Sequence, residues 1–147
     1  MIKWEENTNV LCSKGQQRLF FLRKLNKFNV NKTLMALFYR SFIESILTFS
    51  MVCWYGNLNE KDKKRISKIV NICSKIIGDQ QTSLSELFDK RVIRKANSIL
   101  NSKFEHPLEC EFDPLPSGRR FRVPILKTNR SKHFFINRVI GYLNRGK

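Results

Sequence analysis

Ile66, Ile69, Val70, Cys73, Ile76 and Ile77 recur at steps of three and four, in a run with a helix start at one end and a helix stop at the other. That spacing marks an α-helix with one buried face. Asn59 stands where an N-cap belongs, and Glu60 and Asp62 place negative charge in the first turn, where it suits the helix dipole. Gly78 fits the left-handed C-terminal position. A chain organised around such a segment is a helical one.

The flanking sequence continues the pattern. Gly15 to Phe28 carries Phe21, Leu22, Leu25 and Phe28 at helical spacing, with basic residues between. A break at Asn29-Val30-Asn31 follows, with Asn31 as an N-cap. The next helix is expected from Lys32 to Cys53, with Leu34, Leu37, Phe38, Phe42, Ser45, Ile46, Phe49 and Cys53 along one broad face, and Tyr55-Gly56-Asn57 to end it. Ser83-x-x-Glu86 is a capping box ahead of Leu84, Leu87, Phe88, Val92, Ile93, Ala96, Ile99 and Leu100. That helix should fade near Asn101-Ser102. Composition then shifts to His106-Pro107 and Pro114-Leu115-Pro116-Ser117-Gly118, an irregular stretch. A short last helix, capped by Ser131, carries Phe134, Phe135, Val139, Tyr142 and Leu143.

The expected fold is mainly α: about five helices in a small bundle, with an irregular basic C-terminal segment. The expected division is a helical domain over 1–104 and a Pro/Arg-rich extension over 105–147, ending in a short helix. At 147 residues the chain can bury a real core, and 41% hydrophobic content with 12 Phe argues against a disordered tail. Phe42 to Tyr55 is the longest apolar-rich stretch, but Glu44, Ser45, Thr48 and Ser50 interrupt it. It falls short of the roughly 20 residues of a bilayer span and reads as a buried helix. No signal peptide is read in the first residues, so an intracellular location, nuclear or cytoplasmic, is expected. Cys12, Cys53, Cys73 and Cys110 contain no C-x-x-C pair, which argues against a zinc module and for reduced thiols.

Charge points to a partner. The chain holds 28 Lys+Arg against 12 Asp+Glu, a net charge of +16. Self-repulsion on that scale works against compaction unless an anion is near. Between Asn7 and Ile43 there is no acid and there are seven basic residues; from Pro114 to Lys147 there is no acid and there are nine. Arg18, Arg23, Lys24 and Lys27 fall off the apolar stripe of the first helix and form a cationic ridge. With Arg119, Arg120, Arg122, Arg130 and Lys132 of the tail, they are the candidate contacts to nucleic-acid phosphates. Phe121, between two arginines, is either a stacking residue or an anchor for the tail. The alternative to phosphate binding is an ordinary solvated surface. An anionic membrane is the second candidate partner, and no membrane association is expected. No helix-turn-helix, zinc-finger or RRM signature is present, so contact through shape and phosphates is the natural mode.

Catalytic motifs are missing. There is no P-loop, G-x-G-x-x-G, G-x-S-x-G or H-E-x-x-H. Neither His106 nor His133 has a carboxylate two residues away. Glu109, Glu111 and Asp113 form the densest acid cluster, in a Pro-rich loop, and no Asp-Asp dipeptide occurs. Two-metal phosphoryl transfer needs two acids on rigid elements. No catalytic residue, metal or cofactor is expected.

Several stretches together resemble a known arrangement. They are Trp4-x-x-Asn7-Thr8, Lys14-Gly15-Gln16-Gln17-Arg18-Leu19-x-Phe21-Leu22-Arg23-Lys24-Leu25, Phe38-Tyr39-Arg40-Ser41-x-Ile43-Glu44-Ser45-Ile46-Leu47 and Trp54-Tyr55-Gly56-Asn57. With His106-Pro107-Leu108, Pro114 to Arg122 and Asn129-Arg130-x-Lys132-x-Phe134-Phe135, they resemble the C-terminal part of the reverse transcriptase of vertebrate non-LTR (LINE-type) retrotransposons. The resemblance implies a helical thumb that tracks template–primer duplex through its backbone, followed by a C-terminal extension. It also implies that the catalytic Asp-Asp hairpin and the endonuclease lie outside this chain. The chain is then a non-catalytic fragment or a truncated, domesticated copy.

The first 30 or so residues also resemble the N-terminal domain of the alkylated-DNA-repair dioxygenase homologue fused to a tRNA methyltransferase. That resemblance implies 2-oxoglutarate and iron chemistry. Such an iron site needs H-x-D/E and a distant histidine, which neither histidine here supplies. A third reading is an inert gene-model fragment.

Overall fold

The computed structural model describes residues 4–102, 106–125, 128 and 134–145. Among these the fold is mainly α, as expected. The helices are α1 (Glu5–Lys27), α2 (Lys32–Phe38), α3 (Ser45–Leu47), α4 (Met51–Trp54), α5 (Glu60–Ile77), α6 (Leu84–Leu100) and α7 (Phe135–Arg145). A π-helical turn, Tyr39–Glu44, joins α2 to α3, and short 3-10 turns lie at Tyr55–Asn57 and Glu109–Glu111. Among the described residues the only β-pairing is an isolated antiparallel bridge, Pro114 to Phe121. The chain divides into two compact units, Met1–Leu87 and Phe88–Lys147. The division falls inside α6, ahead of the composition shift after Ser102.

In the first unit α5 is the helix its sequence promised. The Asn59 side chain accepts from the Asp62 N–H at 2.7 Å and donates to the Asp62 carboxylate at 3.0 Å. Arg65 completes the satisfaction of buried Asp62 at 3.1 Å and reaches across to Asn9 of α1 at 2.9 Å. Ile66, Ile69, Val70, Cys73 and Ile77 are buried, and Gly78 adopts φ +74° to close the helix. Burial pushes the Cys73 thiol up to about 12, so it behaves as a small core residue.

The buried face of α1 is not the expected stripe. Thr8, Leu11, Gly15, Leu19 and Leu22 are buried, whereas Phe21 and Phe28 are exposed. The difference comes from small residues. Gly15 is the point at which Ile69 of α5 approaches α1, so the helix turns its bare backbone inward there and its phenylalanines outward. Asn29, at φ +54°, terminates the helix at the expected break.

The second helix also turns a different face to the core. Asn31 caps it as expected, accepting from the Thr33 N–H at 2.8 Å. The buried positions are Met35, Tyr39, Ile43 and Leu47, while Leu34, Leu37, Phe42 and Phe49 of the expected face are exposed. A four-residue step drifts by about 40° in an ordinary α-helix. The slower-winding π turn offsets that drift and keeps Tyr39, Ile43 and Leu47 in line. The helix does not run unbroken to Cys53. The Thr48 hydroxyl donates to the Glu44 carbonyl at 2.7 Å, Ser50 takes φ +48°, and the indole N–H of Trp54 donates to the Phe49 carbonyl at 2.8 Å. By length and composition Lys32–Asn57 is long and apolar enough to cross a membrane, whereas the count over Phe42 to Tyr55 fell short. In this fold its inner face packs on α1 and α5.

In the second unit, Val92, Ala96 and Ile99 of α6 and Ile136, Val139 and Ile140 of α7 are buried. Phe134, expected on the inner face of the last helix, is exposed, and Ser131, its expected cap, lies outside the described residues. Tyr142 donates to the Asp89 carboxylate at 2.6 Å, and the Arg138 guanidinium lies 5.1 Å from the Phe88 ring centre. These ties explain why the later turns of α6 group with the tail. Asp113 to Arg122 folds back on itself. Leu115 N–H donates to the Arg120 carbonyl at 2.8 Å, Arg122 N–H donates to the Asp113 carbonyl at 2.7 Å, and Gly118 at φ +65° makes the reversal. Asn144 of α7 clamps this hairpin, accepting from Phe121 N–H at 2.9 Å and donating to the Phe121 carbonyl at 3.0 Å.

Candidate nucleic-acid interface

The acid-free run from Asn7 to Ile43 places its cations on helix α1, where rotation of about 100° per residue decides which of them meet. Arg23, Lys24 and Lys27 fall within an arc of about 100°, and all three are exposed. Arg18 does not join them. It is half-buried, and its guanidinium donates to the carbonyl of Phe42 in the π turn. It holds α1 to the second helix, a role no sequence pattern signals, because its acceptor depends on where that helix widens.

Two aromatic residues that the sequence reading did not assign to an interface share this outer side. Phe20 and Phe21 are each 55% exposed, with ring centres 5.6 Å apart in an edge-to-face arrangement. The Lys24 ammonium sits 5.4 Å from the Phe20 ring centre, within cation–π range. A signal was present, since neighbouring phenylalanines on a helix cannot both point into one core.

A longer basic feature lies on α5. Lys61, Lys64, Lys68 and Lys75 are all exposed and follow one another at steps of three, four and seven. They fall within about 60° of one another and span about 21 Å along the axis. None of the four makes an ion pair among the described residues; the pairs at this end of the helix are Lys63 with Glu60 at 2.8 Å and Arg65 with Asp62 at 3.1 Å. The Lys63 ammonium, by hydrogen bond and charge, holds the Glu60 carboxyl below its usual range. Beyond Lys68 lies an open groove of about 520 Å³ lined by Ser67, Asn71, Ser74, Lys75, Asp79 and Gln81 among others. Its hydroxyl, amide and ammonium groups suit phosphate and sugar oxygens, which take most protein–nucleic-acid hydrogen bonds, while the Asp79 carboxylate opposes them. The row is legible in the sequence, since its lysines recur at helical spacing opposite the apolar stripe of the same helix.

The tail residues separate by environment. Arg119 and Arg120 are exposed on the hairpin that Gly118 reverses. Arg122 pairs with Asp113 at 3.1 Å, an exposed contact that partly neutralises it. Phe121 meets Phe112 edge to face at 5.8 Å and is gripped by Asn144, so it anchors the hairpin rather than standing free to stack. Arg130 and Lys132 lie outside the described residues, as does His133. His106 accepts from the Leu108 N–H at 3.1 Å, as a turn residue does. No group of three or more His, Cys, Asp or Glu residues converges as a metal site among the described residues.

The family model described as Alkylated DNA repair protein alkB homolog 8, N-terminal, matches residues 4–45, under a third of the chain. No curated protein and no solved structure matches.

Proposed function

We propose that this chain is a non-catalytic, intracellular nucleic-acid-binding module that grips RNA or an RNA–DNA duplex by its phosphates. The row Lys61, Lys64, Lys68 and Lys75 carries this reading, because it sets four solvent-facing cations in register over about 21 Å. Arg23, Lys24 and Lys27 on α1, and Arg119 and Arg120 on the hairpin, add cations of the same kind. The resemblance to the thumb and tail of a LINE-type reverse transcriptase supplies a context, a helical piece that follows a duplex without performing polymerisation. Fluorescence anisotropy with an RNA–DNA hybrid tests the reading. Replacing the four α5 lysines with Gln is expected to weaken binding strongly and to a similar degree for unrelated sequences, because phosphate contacts carry no sequence information. Unchanged affinity would sink it.

The family match favours a second reading, in which residues 4–45 are a segment shared with the alkylated-DNA-repair homologue. The matched stretch contains no histidine, and its acids are Glu5, Glu6 and Glu44. An iron site of the 2-oxoglutarate-dependent type does not fit that donor set. Under this reading the segment is a helical module without oxidative chemistry, and purified chain supplied with iron and 2-oxoglutarate is expected to show no demethylation.

A further inference from the structure

We infer that the outer face of α1 takes single-stranded nucleic acid by stacking bases on Phe20 and Phe21, an inference that rests on the phosphate-binding reading above. Two phenylalanines more than half exposed are costly for a soluble helix unless something covers them. Phe28, 74% exposed, lies seven residues beyond Phe21 on the same stripe, about 10 Å along the axis. Lys24 stands between them, and Lys27 flanks them. The face therefore alternates ring and cation.

The charge surrounding these rings selects the occupant. No acid lies anywhere between Asn7 and Ile43, so the face complements an anion. An α-helix that lies on a membrane segregates its cations from its aromatics onto opposite faces. Here they interleave on one face, with Lys24 directly over Phe20. Interleaving suits a strand that presents phosphate and base alternately. Paired bases in a duplex are already stacked and offer no free ring face, so the rings favour the single strand. Phe121 of the tail is less open than these rings, being half-buried against Phe112, itself a core residue.

The test compares a short fluorescein-labelled oligothymidine with a duplex of the same length, using the full chain. Phe20→Leu with Phe21→Leu keeps apolar bulk and removes the π faces. This variant is expected to lose about tenfold in affinity per stacked base for the single strand while its duplex affinity holds. Phe20→Tyr with Phe21→Tyr is expected to retain single-strand binding. An unchanged helical melt in the Leu variant certifies the fold. Equal loss on both nucleic acids, no loss on either, or a loss seen only with phosphatidylserine vesicles overturns the stacking assignment while leaving the phosphate reading standing. Wild-type chain that binds neither nucleic acid overturns both.

Discussion

A Cβ placed on Gly15 of α1 would lie 2.9 Å from the Cδ1 of Ile69 on α5, so the two helices meet where one of them has no side chain. Ile69 is itself buried, and the contact sets how closely α1 and α5 can approach. The basic outer sides of both helices depend on that approach. Gly15→Leu is therefore expected to destabilise the first unit by about 1–3 kcal/mol through overpacking. Combining it with Ile69→Ala should cost less than the sum of the single changes, since the removed isoleucine leaves room for the added side chain. Thermal melts followed by circular dichroism measure both; strict additivity would place the two residues out of contact.

Tyr39 opens the π turn with its side chain fully buried and its hydroxyl without a hydrogen-bond partner among the described residues. A buried hydroxyl left unpaired costs about 1–3 kcal/mol in desolvation. Tyr39→Phe is therefore expected to leave stability unchanged or raise it by about 1 kcal/mol, which is unusual for a fully buried position. A loss of stability on chemical denaturation would mean that the hydroxyl has a partner.

Tyr142 links α7 to α6 through Asp89, and burial, followed by that hydrogen bond and the aspartate's charge, raises its phenol above the ordinary value of 10. The folded state therefore holds the proton more tightly than the unfolded chain. The resulting stability is fully present below about pH 10 and is lost as pH rises through the folded-state value. Burial shifts Tyr39 in the same direction, with Glu44 next in influence. Alkaline melts should show a steep fall above pH 10. Tyr142→Phe should lower stability at neutral pH, and its deficit against the parent should shrink as pH climbs. A deficit that stays constant across that range would show that the folded chain does not hold the Tyr142 proton more tightly than the unfolded one.

Much of the secondary structure was legible because its signals are local. Asn31, Asn59 and Ser83 each accept the backbone N–H that a capping residue should, and Gly78 takes the left-handed conformation. Which face of a helix turns inward was harder to read. On α1 the apolar residues Phe21 and Phe28 outweigh Thr8 and Gly15 in any hydrophobic tally, yet the small residues are the ones that permit close packing. On α2 the inner face follows four-residue steps that are consistent only once the π turn is known. The candidate site divides in the same way. Arg23, Lys24 and Lys27 emerge on the expected ridge, whereas Arg18 is drawn to a carbonyl that the widened turn presents. Arg122 gives part of its charge to Asp113, a residue nine positions back that only the hairpin brings alongside.

The binding of a short RNA–DNA hybrid as a function of salt tests phosphate recognition most directly. Each neutralised phosphate releases condensed counterion, so the logarithm of the affinity should fall linearly with the logarithm of salt concentration. With the α5 lysine row and the α1 cations engaged, affinity is expected to drop at least tenfold between about 50 and 200 mM salt. The variant with Gln at Lys61, Lys64, Lys68 and Lys75 should show a distinctly shallower slope. A flat response in the parent chain would contradict phosphate recognition altogether.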